Sequence, residues 1–280
     1  EAILAFVGAA DVARLACVSH ACLGAALVHT AARVQAATVP LPPLHDGEPL
    51  LRALRWLEAV QAARAAAPRT IAAGRYHSLC VAGGRPYSWG GDDPDDSSLD
   101  SYHAALGHLG GMAELRPRLV DYPYLTLPWV QVAAGYQHSL ALDAEGSVWA
   151  FGANAYGQLG LGHEEYRLPV PIASLIGAPY ASWEIPILQV SAGLDHSLLL
   201  TASGGVLAFG ANGFGELGLG DSGRGTNRLH PAAVTGFGGR RVVEVSAGGA
   251  HSAAVDELGG LWTWGSVNHG ALGHGEVAAP

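Results

Sequence analysis

Charged residues are scarce in this sequence and make up 14% of its 280 positions. Lys and Arg total 15 against 24 Asp and Glu, so the formal net charge is −9, and the basic residues form no cluster. Binding to a phosphate backbone depends on Lys and Arg neutralising phosphates, and an acidic chain repels it on average. We therefore expect no nucleic-acid partner.

Cysteine and long apolar runs are also scarce. The three cysteines, Cys17, Cys22 and Cys80, cannot all pair, which fits a reducing compartment. No apolar run approaches the roughly 18–20 residues of a membrane span, and the N-terminus lacks the charged region and apolar core of a secretory signal. We expect a cytoplasmic or nuclear protein with no membrane partner. Because the first residue is Glu1 and not methionine, we also expect a longer parent chain.

Motifs that carry catalysis or hold a cofactor are absent as well. There is no Gly-x-Ser-x-Gly elbow and no kinase signature, and His163-Glu164-Glu165 lacks the second histidine of a zinc hydrolase. Cys17, His20 and Cys22 do not converge on one ion from a helix. The glycine pattern at 218–223 fits a dinucleotide loop, but 39 glycines make a chance match expected. We predict that the chain has no catalytic residue and binds no metal or cofactor. We also expect that it is not an enzyme, unless it acts as an exchange factor.

The composition changes sharply near residue 70. Residues 1–38 are rich in Ala, Leu and Val and carry apolar residues at helical spacing, with Asp11 placed to cap a helix. Residues 39–69 read as a Pro-rich linker followed by a helix from about residue 50 to 66. From residue 70 onward the chain is rich in glycine and repetitive.

The string Ala-Gly-x-x-His-Ser occurs four times, at 73–78, 134–139, 192–197 and 247–252. Twelve or thirteen residues after each histidine comes an aromatic residue followed by glycine, and a Leu-Gly pair follows in turn. So many shared offsets identify internal repeats. The repeated residues are Gly74, His77 and Trp89; Gly135, His138 and Phe151; Gly193, His196 and Phe209; Gly248, His251 and Trp264.

Within one copy the pattern is that of short strands. In the second copy, residues 130–132, 138–142 and 148–151 alternate with period two, and 143–146 supply a turn. The segment around 168–170 contains a proline, which lacks a ladder donor, so it is predicted as an edge strand. Four short strands in about 55–60 residues make a propeller blade.

This repeat resembles that of the regulator-of-chromosome-condensation family, which forms seven-bladed propellers. The resemblance covers residues 71–280 and implies a mainly β fold, a β-propeller of four-stranded blades preceded by a small α-helical segment. The blades are expected at about 70–128, 129–186, 187–241 and 242–280. The last copy ends before its fourth segment, so we expect an incomplete propeller with four of seven blades. Closure at four blades is the alternative.

The repeated residues are predicted to be structural, because a catalytic residue is rarely needed once per blade. The glycines permit positive φ or close packing, each histidine is expected to bond the backbone of a neighbouring blade, and the aromatic residues to pack between blades. An ultraviolet photoreceptor of the same family uses tryptophan beside the repeat histidine, and this chain has none there. Its pairs are Arg75-Tyr76, Tyr136-Gln137, Leu194-Asp195 and Gly249-Ala250.

The first 38 residues carry a second resemblance. Residues 3–7, Asp11-Val12, Leu15 and Val18-Ser19 resemble the F-box, which docks onto the Skp-type adaptor of cullin–RING ubiquitin ligases. The aromatic residue expected shortly afterwards is replaced by Cys22. An amphipathic cap on the propeller is the alternative. The resemblance implies adaptor contacts from Ile3, Leu4, Phe6, Val12, Leu15 and Val18.

An insertion in the first repeat is acidic. Its oxygen spacing matches no calcium loop, so it reads either as a solvated loop or as a surface for a basic target. Its carboxylates are Asp92, Asp93, Asp95, Asp96 and Asp100.

Three functions remain open on this sequence. The leading hypothesis is a substrate-recruiting F-box subunit of a ubiquitin ligase, with the adaptor and an unknown target as partners. The alternatives are a guanine-nucleotide exchange factor for a small GTPase, as some family members are, and a non-catalytic scaffold.

Overall fold

The computed structural model describes residues 69–91, 103–108, 113–120, 128–144, 146–164, 167–171 and 187–275. The F-box-like segment, the Pro-rich linker with its helix, and the acidic residues 92–100 lie outside these residues. In the described part of the chain, no helix is long and apolar enough to cross a bilayer.

The described residues contain fifteen strands in four antiparallel sheets, and within each sheet the strands pair in sequence order. Blade 1 contains β1 (Ile71–Ala73), β2 (His77–Ala82), β3 (Arg85–Gly90) and β4 (Glu114–Leu119). Blade 2 contains β5 (Trp129–Ala134), β6 (His138–Asp143), β7 (Val148–Gly152) and β8 (Arg167–Pro171). Blade 3 contains β9 (Ile187–Ala192), β10 (His196–Thr201), β11 (Val206–Gly210) and β12 (Arg228–Val234). Blade 4 contains β13 (Val242–Ala247), β14 (His251–Asp256) and β15 (Leu261–Gly265).

The predicted fold class is confirmed. Each alternating segment of the second repeat lies within a strand, and the Pro-containing β8 is at the edge of its sheet. Within the described residues blade 4 has three strands, so the propeller is incomplete. Short 3-10 helices at His103–Leu106 and Asn268–Gly270 follow the third strands of blades 1 and 4.

The hydrophobic core lies between blades and not inside one sheet. Because strand side chains alternate, Leu140 and Leu142 of β6 face blade 3, where they pack with Leu199 and Phe209. Ala141 of the same strand faces blade 1 instead. Each inter-blade cluster therefore combines one face from each of two successive sheets, which is why a single blade cannot bury its own core.

The outer faces of blades 1 and 4 carry the same kind of residues but lack a neighbouring sheet among the described residues. The repeat position held by Val132, Val190 and Val245 is at most 2% exposed, whereas Ile71 at this position in blade 1 is 71% exposed. Leu261 of blade 4 is 70% exposed. Burial along the chain thus depends on the neighbouring blade.

Candidate functional site at the propeller rim

Each repeat histidine bonds a serine of the next blade. His77 Nε2 lies 2.9 Å from Ser139 Oγ, and His138 Nε2 lies 3.0 Å from Ser197 Oγ. His196 Nε2 is 2.9 Å from Ser252 Oγ. The prediction that these histidines bond backbone was wrong, because the serine that follows each histidine in the next repeat lies within their reach.

The serine hydroxyls fix the histidine tautomer. Ser197 Oγ donates its single hydrogen to the Gln158 carbonyl at 2.8 Å, so it accepts from the Nε2–H of His138. Ser139 and Ser252 donate in the same way to the preceding blade. The chain of histidine, serine and carbonyl is a structural joint between blades, and it leaves no serine hydroxyl hydrogen for chemistry.

Burial keeps these imidazoles neutral. It lowers the pKa of His77 and of His196 to about 4, the latter with a smaller contribution from the charge of His251. Burial, followed by the charges of His77 and His196, lowers the pKa of His138 to about 3. An acid–base catalyst for neutral pH needs a pKa near 7, so these groups are unsuited to that role.

The glycine of each Ala-Gly-x-x-His-Ser string makes room for its own histidine. A Cβ atom on Gly135 would lie 2.4 Å from His138 Cε1 and 2.5 Å from the Gly193 carbonyl oxygen of the next blade. Gly74 and Gly193 are confined in the same way by the carbonyls of Gly135 and Gly248. Close approach, and not positive φ, therefore requires glycine at this position.

The four repeat aromatic residues differ in burial. Phe151 and Phe209 are fully buried between blades. Trp264 is half-buried against the cluster shared by blades 3 and 4, and its Nε1–H donates to the Glu216 carbonyl at 2.9 Å. Trp89 occupies the same position of blade 1 and is half-buried.

Blades 1 and 4 each carry one residue of a histidine–serine joint without its partner among the described residues. Ser78 of blade 1 and His251 of blade 4 are half-buried, and neither side chain hydrogen-bonds another described residue. Closure at four blades would place His251 on Ser78, and this bond is not formed. A long-range ion pair joins Arg69 to Glu244 of β13 at 2.6 Å, between partly exposed side chains.

The loops that carry the two variable residues of each string form the surface that we call the rim. These loops span 74–76, 135–137, 193–195 and 248–250. Backbone bonds link successive loops: Tyr136 N donates to Leu194 O at 3.2 Å, and Leu194 N to Gly248 O at 3.3 Å. Arg75 and Leu194 are exposed, and Leu194 has 44% of its surface accessible. The rim thus displays residues that the joints do not use.

Arg75, Tyr76 and Tyr136 form one cluster on the rim, which we call the Arg–Tyr clamp. The guanidinium carbon of Arg75 lies 4.8 Å from the centre of the Tyr76 ring and 4.4 Å from that of Tyr136. Arg75 Nη1 also donates to the Tyr136 hydroxyl. The two rings are 6.2 Å apart at an angle of 63°. Such contacts hold a guanidinium in place while leaving other donors accessible.

Asp195 lies farther along the rim and is half-buried. Burial, and then the charge of Glu216, raises the pKa of its carboxyl group. Gln158 Nε2 of the preceding blade lies 3.5 Å from Asp195 Oδ1, at the limit of a hydrogen bond. Within the described residues no cluster of His, Cys, Asp and Glu could hold a metal ion.

Sequence reasoning missed the role of the serine and of the Arg–Tyr clamp. The serine was visible in every string, and its hydroxyl could have been recognised as a partner for an imidazole. The clamp is harder to recognise in the sequence, because Arg75 and Tyr136 are 61 positions apart. Only the stacking of blades brings the first variable positions of two repeats together.

Successive antiparallel blades joined through their faces define a β-propeller protein. A model of the regulator of chromosome condensation (RCC1) repeat matches residues 145–200 and 203–255. A second model of that repeat matches 129–158 and 187–216. The chain therefore carries RCC1 repeats, as the motif spacing predicted.

Several known proteins share this similarity. The rat probable E3 ubiquitin-protein ligase HERC4 is 41% identical over 53% of this chain and 13% of its own length. The Arabidopsis thaliana ultraviolet-B receptor UVR8 is 34% identical over 74% of this chain and 43% of its own length. The chain thus spans less than half of either relative.

Solved structures show the same fold. The crystal structure of human WBSCR16 has a TM-score of 0.57 and 27% identity, over 71% of this chain and 49% of that one. The structure of Prp20p from Saccharomyces cerevisiae has a TM-score of 0.57 and 24% identity, over 71% and 43%.

Proposed function

We propose that this chain is a protein-interaction module that recruits a target to a ubiquitin ligase, with the propeller rim contacting the target. The observation that carries the proposal is that the repeated residues and the variable residues of each string have different roles. The repeated histidine, serine and glycine are used in the joints, whereas the two variable residues between the glycine and the histidine lie on the rim, where each is exposed or half-buried. A rigid scaffold with variable exposed positions suits recognition of a protein surface.

The ligase context rests on the N-terminal residues and on the relatives. Ile3, Leu4 and Phe6, together with Val12, Leu15 and Val18, would supply the apolar contacts of an F-box to a Skp-type adaptor. Relatives that share this repeat include proteins named as ubiquitin-protein ligases. The carboxylates at 92–100 would favour basic residues on the target.

A titration with purified Skp-type adaptor tests this proposal. The full chain should bind, and Leu15→Asp should weaken binding roughly tenfold or more, because a charge would enter an apolar contact. The matched control is Leu115→Asp, since Leu115 lies on β4 and is 90% exposed. Absence of binding by a chain with an intact thermal transition would refute the adaptor role.

Regulation of a small GTPase is the second candidate. It is favoured by the fold shared with Prp20p, whose structure is described together with its binding to Gsp1p and histones. An exchange factor should accelerate release of a fluorescent GDP analogue from a small GTPase, and removal of residues 1–67 should leave that rate unchanged. An F-box subunit should not accelerate nucleotide release. The same removal should abolish its binding to the adaptor, because that binding requires residues 1–38.

A further inference from the structure

The Arg–Tyr clamp holds an exposed arginine against two half-buried tyrosines in a fixed geometry. Arg75, Tyr136 and Leu194 occupy the first variable position of three successive repeats, so the stacking of blades places them side by side on the rim. Arg75 N donates to the Gly135 carbonyl at 3.4 Å, which ties the arginine backbone to the loop of the next blade.

The guanidinium of Arg75 is not neutralised within the described residues. Those residues form ion pairs through Arg69, Arg118, Arg228 and Arg240, and none through Arg75. One of its N–H groups is engaged by the Tyr136 hydroxyl, and the two tyrosine rings limit its motion. The side chain has therefore lost conformational freedom before any partner arrives, which lowers the entropic cost of binding.

We propose that the Arg–Tyr clamp binds an Asp or Glu side chain of a partner protein, and that Leu194 contacts an apolar residue beside that carboxylate. A planar guanidinium matches a carboxylate with two parallel hydrogen bonds, and tyrosine and arginine dominate the energetics of protein interfaces. This inference rests on the proposed role of the rim in target recognition. It concerns one carboxylate, whereas the acidic residues at 92–100 would meet basic residues elsewhere on the target.

The test selects peptides from a random phage-displayed library on the full chain, followed by fluorescence polarisation with the synthetic peptides recovered. We expect peptides that share an Asp or Glu, and a loss of affinity of roughly tenfold or more when this residue becomes Asn or Gln. Arg75→Gln should cause a similar loss, and so should Arg75→Lys, because a lysine cannot form the bidentate pair.

The matched control is Arg85→Gln. Arg85 is exposed at the start of β3, at the opposite end of the β2–β3 hairpin from the rim, and the substitution removes the same charge. It should leave peptide affinity unchanged, which separates local recognition from the net charge of the chain.

Two outcomes would overturn the inference. One is that the folded chain retains no peptide, or only peptides without a required acidic residue. The other is that Arg75→Gln binds the selected peptides as well as the unaltered chain does. Both are independent of adaptor binding through residues 1–38, so failure of the clamp and failure of the ligase proposal can be told apart.

Discussion

At the scale of single residues, the histidine–serine bond decides how successive blades are held in register. The serine satisfies two buried groups at once, the His138 Nε2–H and the Gln158 carbonyl in the case of Ser197. Buried polar groups without partners are costly, so the serine is as important as the histidine that first attracts attention in the sequence.

Ser197→Ala should lower the free energy of unfolding by about 1–3 kcal/mol, because it leaves a buried donor and a buried carbonyl unpaired. Ser78→Ala is the matched substitution in blade 1, where no described histidine faces the serine, and it should change stability by less than about 0.5 kcal/mol. Urea unfolding of both variants measures the difference. Equal effects would mean that the joint contributes little.

Acid should destabilise the propeller through its buried histidines. In the unfolded chain each histidine has a pKa near 6.5, whereas burial lowers the pKa of His77, His138 and His196 to about 4, 3 and 4. Below pH 6.5 the unfolded state therefore binds more protons than the folded state. The three groups stabilise the fold fully above the unfolded pKa, and this contribution is lost as pH falls.

Each of these histidines should lower the free energy of unfolding by about 1.4 kcal/mol per pH unit below 6.5. In urea unfolding between pH 7.5 and 5, these three groups should thus contribute an uptake of about three protons at the acidic end. His138→Gln should reduce this to about two, since one titrating group is removed. A slope that the substitution leaves unchanged would contradict the assignment.

At the scale of the element, blades 1 and 4 have a hydrogen-bonded pair of side chains, one on the third strand and one after it, where blades 2 and 3 have an apolar pair. Ser88 of β3 lies 2.8 Å from His108 Nε2 and donates to the Leu106 carbonyl at 2.7 Å. Thr263 of β15 makes the corresponding contacts with His274 and Leu272. Blades 2 and 3 have an alanine in place of the hydroxyl and a leucine in place of the histidine. These pairs are Ala150 with Leu161 and Ala208 with Leu219.

A double-mutant cycle should reveal this exchange of polar for apolar pairs. Ser88→Ala and His108→Leu should each cost about 1–2 kcal/mol, because each leaves part of a buried hydrogen-bonded pair without its partner. The double variant reproduces the pair of blade 2, so its cost should fall short of the sum by about 0.5 kcal/mol or more. Thermal and urea unfolding of the four proteins test this, and strictly additive costs would show that the two residues act independently.

At the scale of the whole molecule, stability depends on which blade faces have a neighbour. Val245 and Ile71 hold the same repeat position, but Val245 is 0% exposed between blades 3 and 4 and Ile71 is 71% exposed. The hydrophobic effect scales with the apolar area removed from water. The same repeat position therefore contributes more to the free energy of unfolding in blade 4 than in blade 1.

Val245→Ala should therefore destabilise the chain by about 2 kcal/mol, from lost burial and the cavity left behind. Ile71→Ala removes a larger side chain but should cost less than about 1 kcal/mol, because that side chain is mostly in water. Urea unfolding gives both values. The opposite order would indicate that blade 1 is covered in solution.

The sequence by itself determined the repeat, its strands and the positions of its turns. These features depend on neighbouring residues: alternation of apolar side chains defines β5, β6 and β7, and the proline in β8 places that strand at an edge. Recurrence of the string four times was then sufficient to predict stacked blades and a shared core between them.

Only the tertiary structure decided what each repeated residue touches. The partner of His138 is Ser197, 59 positions away, and Gly135 is needed because of a carbonyl oxygen in another blade. The Arg–Tyr clamp and the exposure of Ile71 likewise depend on which loop or sheet lies alongside. Such contacts join residues of different repeats, so their geometry is set by how blades stack and not by any local pattern.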